Sequence, residues 1–303
     1  MFDLISIGNI SIDLYFKGDS LTFEKNRFQL AIGGKYFVDQ FHTGIGGGGV
    51  NVAIGASKEG IRSAVMGTIG NNPFKKMILH LLEENKISTK LCTIEENYYN
   101  LSSILLSEKG ERSIIHYSTP HKNILRKATS INNLIEAKIV YMGNLPDVSL
   151  TEREVTLNLC KKNNIITVVN LGVKDCRRSK SQLKHFLSKI DVLIVNGHEF
   201  AELVKAQYKD IHFQENVIRW YFRDLEDKTV IITEGKKGSY GYMGGKVYHQ
   251  KAEEVENIVD ATGAGDGYTA GFISEYFHSK DIGKSMEKGS QYASKILSRV
   301  GAN

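Results

Sequence analysis

The rhythm of apolar and polar positions changes several times along the chain. Residues 3–8 (Asp3-Leu4-Ile5-Ser6-Ile7-Gly8) form a short apolar run that ends at glycine and reads as a first strand. Residues 14–42 have no helical period and read as short strands and loops. Val50-Asn51-Val52-Ala53-Ile54-Gly55-Ala56 is a helix of small residues, suited to packing close to another element. Arg62 to Ile69 is predicted as a strand of the parallel type, and Phe74 to Leu82 as an amphipathic helix. Apolar and polar residues then alternate from Ser102 to His116. The alternation is broken by Glu108-Lys109-Gly110-Glu111, which predicts a β-hairpin with a glycine turn.

From residue 135 short apolar runs alternate with helical patterns. Strands are expected at 138–143, 165–170, 191–195 and 229–233, and helices at 151–162, 179–188, 198–207 and 214–224. A β-prone run ends at Val259. A turn of small residues and another helix follow, with Tyr268, Phe272, Ile273, Tyr276 and Phe277 on one face. This pattern predicts an α/β protein with a doubly wound, mostly parallel sheet and helices on both faces. The expected organisation is a single domain, 1–303, with a small β-excursion built from about 14–42 and 91–117. Such an excursion suits a lid, and ligands of such sheets bind at the carboxyl ends of the strands.

Composition narrows the choices. An apolar content of 41% and a charged content of 24% are those of a globular protein, and no apolar run approaches a membrane span. The start Met1-Phe2-Asp3 runs straight into a strand with no basic leader, so no signal peptide is expected. Cys92, Cys160 and Cys176 are odd in number and widely spaced, which fits reduced cytoplasmic thiols. A net charge of +5 is a weak bias, compatible with an anionic substrate. No basic block interleaved with aromatics suggests nucleic acid.

Two familiar motifs fail. Gly44 to Gly49 satisfies G-x-G-x-x-G, but the place of the acidic residue about 20 positions on is taken by Met66-Gly67-Thr68. Gly283-Lys284-Ser285 has no preceding strand and no first glycine, so it is not a P-loop. The histidines form no spaced cluster.

The stretch Val259-Asp260-Ala261-Thr262-Gly263-Ala264-Gly265-Asp266 carries more. It places small residues at a helix N-terminus, where free N–H groups and the helix dipole favour an anion. Asp266 then stands beside the anion site, where a carboxylate repels a phosphate unless it serves to take up a proton. The plainer alternative is a helix-capping acid. Gly46-Gly47-Gly48-Gly49-Val50-Asn51 lets the backbone approach a ligand and gives it an amide, or is simply a tight turn before a close-packed helix. Asn9 and Asp13 suit a polyol, although Asp13 also reads as a surface turn acid. Asn196-Gly197-His198-Glu199 offers hard oxygens for Mg²⁺, or is a capping box. Thr233-Glu234-Gly235-Lys236-Lys237-Gly238 also reads as a plain hairpin turn.

Taken together, these motifs resemble the signatures of the PfkB, or ribokinase-like, family of sugar and nucleoside kinases. The resemblance extends over nearly the whole chain. It implies ATP-dependent phosphorylation of a sugar or sugar-like alcohol. Asp266 would be the base, with Gly263, Ala264 and Gly265 as the anion hole. Asn9, Asp13, Gly46, Gly47 and Asn51 would bind substrate, and Asn196, Thr233, Gly235 and Gly238 would line the ATP. Glu199 would act on Mg²⁺ through water, and Asp260 and Thr262 on a monovalent cation such as K⁺. In the family such lids also form homodimer interfaces. The departures are Gly70-Asn71-Asn72-Pro73-Phe74 where an Asp-rich turn is usual, Gly267 where Ser or Thr is usual, and a chain stopping at Gly301-Ala302-Asn303. A nucleoside kinase, with Tyr98 and Tyr99 stacking on a base, and a non-catalytic sugar-binding regulator are the alternatives. Lys17, Lys25, Arg27, Lys35 and Arg112 are open as anchors for a phosphosugar.

Overall fold

The computed structural model describes residues 1–25, 27–107, 111–120, 124–125 and 131–303. The chain opens with β1 (Phe2–Ile7), β2 (Ser11–Lys17), β3 (Phe23–Glu24), β4 (Arg27–Phe28) and β5 (Gln40–Gly46), then α1 (Gly48–Lys58). Next come β6 (Ser63–Met66), β7 (Thr68–Gly70), α2 (Lys75–Glu84), β8 (Thr93–Glu95), β9 (Asn100–Leu106) and β10 (Arg112–Ser118). Three strand–helix steps follow: β11 (Ala137–Met142) with α3 (Leu150–Lys162), β12 (Ile166–Asn170) with α4 (Val173–Cys176) and α5 (Lys180–Leu187), and β13 (Val192–Asn196) with α6 (Gly197–Val204); α7 (Val217–Tyr221) and β14 (Thr229–Thr233) come next. A hairpin, β15 (Ser239–Met243) and β16 (Lys246–Gln250), precedes α8 (Ala264–Ser279) and α9 (Ile282–Leu297).

The main sheet has the order β16-β15-β14-β13-β12-β11-β1-β6. It is parallel from β6 to β14, and β15 and β16 run antiparallel at the edge. Its central strands are buried on both sides, which explains their continuous apolar runs. Ile5, Ile7, Val140 and Val169 pack under α3, α5 and α6. Leu4, Ile139, Tyr141 and Ile194 pack under α1, α8 and α9. A second sheet of order β10-β9-β2-β5 stands apart from the first. It takes in the expected excursion but starts at Ser11 and runs to Gly46, while β8 leaves it to pair with β7. The glycine expected at the hairpin tip, with Glu108 and Lys109, lies outside the described residues.

Three expectations are corrected. The strand foreseen at 62–69 is split at Gly67, where the backbone passes so close to Gly8 and Ile10 that the chain leaves the main sheet. The helix foreseen at 214–224 is only the short α7. Asn216 caps it, and the buried Phe222 leaves helical geometry to reach the core. No strand precedes the small-residue turn: 251–263 is irregular, and Val259 N–H donates to Leu297 O at 2.8 Å instead of to a sheet neighbour. Segment 254–259 therefore follows α9 rather than extending the sheet.

Candidate active site

β5 ends at Gly46, and α1 starts at Gly48 with only Gly47 between them. Gly47 has φ 96°, a left-handed value that glycine adopts freely. A side chain at Gly47 would strike the Asn9 carbonyl, and one at Gly46 would strike the Asp13 carboxylate. The glycine tract thus lets α1 dock against the carboxyl end of β1 while Asp13 lies flat on the turn. Asn51, one turn into α1, is buried and donates its Nδ2–H to Asp266 Oδ2 at 2.8 Å.

The second sheet has two unlike faces. On the inner one, Ser11, Asp13 and Tyr15 of β2 align with Ser102 of β9 and, across from it, His116 of β10. Ser11 Oγ–H donates to Asp13 Oδ1 at 3.3 Å, and Ser102 Oγ pairs with His116 Nδ1 at 3.1 Å. Burial raises the Asp13 carboxyl above its ordinary range, and the two hydroxyls pull it partway back. Several buried acceptors and donors near these elements have no hydrogen-bond partner among the described residues: Asn9 Oδ1, both amide atoms of Asn100, and Asn303 Oδ1. Unpaired buried amides are costly.

Opposite lies the small-residue turn. Gly263 is the N-cap of α8 with φ 75°, and no side chain caps the helix; Ala264 N–H reaches Ala261 O at 3.5 Å, and the N–H groups of Gly265 and Asp266 remain for another acceptor. Asp266 sits in that first turn, deep in the protein but with part of its surface open to solvent. Burial pushes its carboxyl above the usual carboxylate range, and the Asn51 bond partly offsets this. Asp260 is fully buried and committed. Its Oδ1 accepts from Thr262 N–H at 2.8 Å and Thr262 Oγ1–H at 2.6 Å, and its Oδ2 accepts from Gly301 N–H at 3.1 Å. Arg112 approaches the same carboxylate at 3.8 Å. A cavity of about 430 Å³ opens beside the turn, lined by Glu254, Val255, Val259, Ser294 and Lys295 among others.

At the carboxyl end of β13, Asn196 and Glu199 form a capping box: Glu199 N–H donates to Asn196 Oδ1 at 2.8 Å, and Asn196 N–H to Glu199 Oε2 at 2.9 Å. Burial, with the nearby Asp266 charge, raises the Glu199 carboxyl. The capping geometry leaves Glu199 Oε1 outside that bond pair, so the structural and the metal-directed readings are compatible. Thr233 closes β14, and Gly235 to Gly238 make the tight turn into β15. The Glu234 carboxylate folds back, accepting from Tyr208 O–H at 2.6 Å. Of the departures, Gly267 is explained by packing, because a side chain there would press on Ile296 of α9 at 2.7 Å. Asn72 is spent on its own turn, accepting from Phe74 N–H at 2.9 Å and donating to Tyr98 O at 2.7 Å. Tyr98 is buried and offers no stacking face.

Sequence patterns missed Ser102 and His116, which only strand register brings beside Asp13. Asn303 was missed as well. Its Nδ2–H groups donate to Ile45 O at 2.6 Å and to Asn51 Oδ1 at 3.1 Å.

A parallel α/β sheet with an uncapped helix start, a carboxylate beside it and a polyol-friendly face opposite is an arrangement suited to phosphoryl transfer. The family model described as pfkB family carbohydrate kinase matches residues 1–303. An ATP-dependent 6-phosphofructokinase of Thermoanaerobacterium thermosaccharolyticum is 27% identical over 99% of this chain and 89% of its own. Two solved structures share the fold: an adenosine kinase from Sinorhizobium meliloti (TM-score 0.78, 18% identity, covering 100% of this chain and 95% of that one) and the Arabidopsis thaliana ribokinase complexed with ribose and ATP (0.77, 19%, 99% and 94%). The chain belongs to the pfkB family of carbohydrate kinases, and its activity is that of an ATP-dependent kinase.

Proposed function

We propose that this kinase transfers the γ-phosphoryl group of ATP to a hydroxyl of a sugar or sugar-like alcohol, with Asp266 as the base. The observation that carries this reading is the Asn51–Asp266 pair at the uncapped start of α8, facing the polar side of the second sheet. The attacking hydroxyl gives its proton to Asp266 as its oxygen bonds to the γ-phosphorus, and ADP departs. The N–H groups around Gly263, Ala264 and Gly265 take the charge on the transferring oxygens, where aligned donors are worth most in a water-poor site. Asp13, Ser102 and His116, with Asn9, Gly46 and Gly47, would position the acceptor. The cavity between segment 254–259 and α9 would seat the nucleoside of ATP, and Asn196, Thr233, Gly235 and Gly238 would line its phosphates.

Magnesium fits these residues. Two carboxylates whose charges bear on each other, Asp266 and Glu199, would both gain from a cation between them and the phosphates. Among the described residues no three acidic, His or Cys side chains cluster, so phosphate oxygens and water would complete its shell. When bound, Mg²⁺ supplies charge neutralisation at the phosphates. A monovalent cation such as K⁺ would sit beside Asp260 and Thr262, where Asp260 Oδ1 already accepts from Thr262 and its Oδ2 from Gly301 N–H.

The second sheet would act as the lid of a single kinase unit spanning 1–303, excluding water that competes for the phosphoryl group. Its outer face suggests a homodimer through that lid. The three cysteines are free, with thiols raised to about 12 by burial, which fits the reducing cytoplasm we assign to it. The deciding experiment is a coupled ADP-release screen of sugars, phosphosugars and nucleosides on wild type and Asp266→Asn. A sugar-dependent signal lost in the variant supports the reading, and a signal confined to nucleosides replaces the acceptor class.

A further inference from the structure

The turn from Thr233 to Gly238 holds a group that phosphate binding alone does not explain. A carboxylate, Glu234, stands in it, with a side chain only 2% exposed. A buried negative charge beside a triphosphate is costly unless it holds a partner. Its surroundings are shaped to receive it. Gly197 opens α6, and a side chain there would strike Glu234 Oε1. Glu234 thus fills the space that this glycine leaves at the start of the helix. Its Oε2 accepts from Tyr208 O–H at 2.6 Å, and Lys237 Nζ lies 4.0 Å away.

Tyr208, just past the end of α6, is itself fixed. The His198 ring stacks on it with centroids 4.2 Å apart, and Phe213 lies at 6.0 Å. The bond to Glu234, aided by burial, pushes the phenol up to about 12, so at neutral pH it keeps the proton it donates. The backbone carries this anchorage into the turn. Glu234 N–H donates to Gly238 O at 2.7 Å, Lys237 N–H to Glu234 O at 3.0 Å, and Gly238 N–H to Gly235 O at 3.0 Å. Gly235 and Gly238 have φ of 54° and 92°, both left-handed, and glycine restrains a backbone least. A turn of this kind needs an outside anchor to hold one shape. Asn196 and Thr233, where α6 and the turn begin, are already register partners at the ends of β13 and β14.

We propose that Glu234 is a positioning residue: seated over Gly197 and held by Tyr208, it fixes the Gly235–Gly238 turn against the start of α6, so that the two present one preformed cradle to the phosphates of ATP. Glu234 and Tyr208 touch no phosphate in this scheme and act through the turn. The proposal rests on the reading that this turn lines ATP. Preorganisation of this kind shows as affinity, because the turn is not ordered anew on binding.

The test is calorimetry of ATP and of adenosine on three variants of the full chain. Tyr208→Phe removes only the hydroxyl. Glu234→Ala removes the carboxylate. Gly197→Ala keeps both groups and evicts the carboxylate from its seat. Each should raise the ATP dissociation constant about tenfold, the lower end for losing a hydrogen bond to a charged group. Adenosine, which lacks phosphates, should bind as it does to wild type. Charge repulsion alone predicts the opposite sign for Glu234→Ala, a tighter ATP complex. Combining Tyr208→Phe with Glu234→Ala should cost no more than the larger single loss, since both break one bond. Tyr208→Phe keeps the ring contacts and remains readable should the other two fold poorly. ATP affinity kept in folded Tyr208→Phe, or a loss shared equally by adenosine, overturns the positioning role. Hydrogen exchange tests the underlying reading separately: ATP should slow the amides of 235–238 in wild type. If it does not, the turn is no ATP lining and the proposal falls with that reading.

Discussion

Asp266 is where the chemistry concentrates, and its environment gives a prediction in two parts. Asp266→Asn should lower kcat by about 10²–10⁴, the usual worth of a positioned proton acceptor. The second part follows from the direction of its shift. Burial holds the carboxyl above its ordinary range, so ionising it costs the folded state more than the unfolded one. That cost is absent below the unfolded pKa, near 4, and is fully present above the raised folded value. The Asn variant should therefore melt higher than wild type at neutral pH, and the gain should fade on acidification toward the ordinary carboxylate range. A helix-capping acid predicts the reverse, a loss of about 0.5–2 kcal/mol with turnover kept. Melting curves across pH together with kcat separate the two. Glu199→Gln keeps the capping box, because its amide oxygen still accepts from Asn196 N–H. Stability should change little, while the Mg²⁺ concentration for half-maximal activity should rise. An unchanged metal titration would leave Glu199 with the cap alone.

At the scale of elements, most of the architecture was legible because burial on both faces writes itself into the sequence. Strands such as Val192–Asn196 and Thr229–Thr233 carry unbroken apolar runs, Val192 to Val195 and Val230 to Ile232. What could not be read is what depends on distant partners. Gly67 breaks a strand because Gly8 and Ile10 crowd it, and 254–259 is no strand because α9 holds it. The candidate site divides in the same way. Gly263 to Asp266 and the glycine tract are local motifs and stand out, whereas Ser102 and His116 reach Asp13 only through strand register. The anion turn carries its own prediction. Gly263 holds φ 75°, and a side chain there would also meet Ala302. Gly263→Ala should cost about 1–2 kcal/mol from the left-handed backbone alone. It should also weaken nucleotide binding, because the helix start can no longer present its N–H groups. Calorimetry showing full ATP affinity in a destabilised Gly263→Ala variant would detach the turn from phosphate binding. On the facing sheet, Asp13→Ala should weaken binding of the acceptor by about 1.5–3 kcal/mol and leave ATP nearly unaffected. The opposite pattern would mean that the two subsites are exchanged.

For the molecule as a whole, the second sheet poses the last question, because its two faces have opposite needs. The inner face carries Asp13, Ser102 and His116 turned toward the anion turn, with Tyr15, Ile104 and Leu106 packed on Val300. The outer face carries Phe16 and Phe41 with rings 5.3 Å apart, and beyond them Ile115 and Tyr117, which are 63% and 59% exposed. Phe41 is itself 59% exposed. A contiguous apolar sheet face of this kind is uncommon on a monomer and marks an interaction surface. The simplest occupant is a second copy, since one face meeting its twin about a two-fold axis is self-complementary. A stable interface of ordinary size buries roughly 800 Å² on each partner, so the loops flanking the sheet would have to join the contact. Wild type should therefore sediment as a dimer at micromolar concentration. Phe41→Asp combined with Ile115→Asp places charges on the shared face and should give a monomer with its melting transition preserved. Because the same sheet carries Asp13 on its inner side, the monomer should also bind the acceptor more weakly as the lid loses its support. A wild-type protein that sediments as a monomer, or a double variant that remains dimeric, would remove the lid face as the point of assembly.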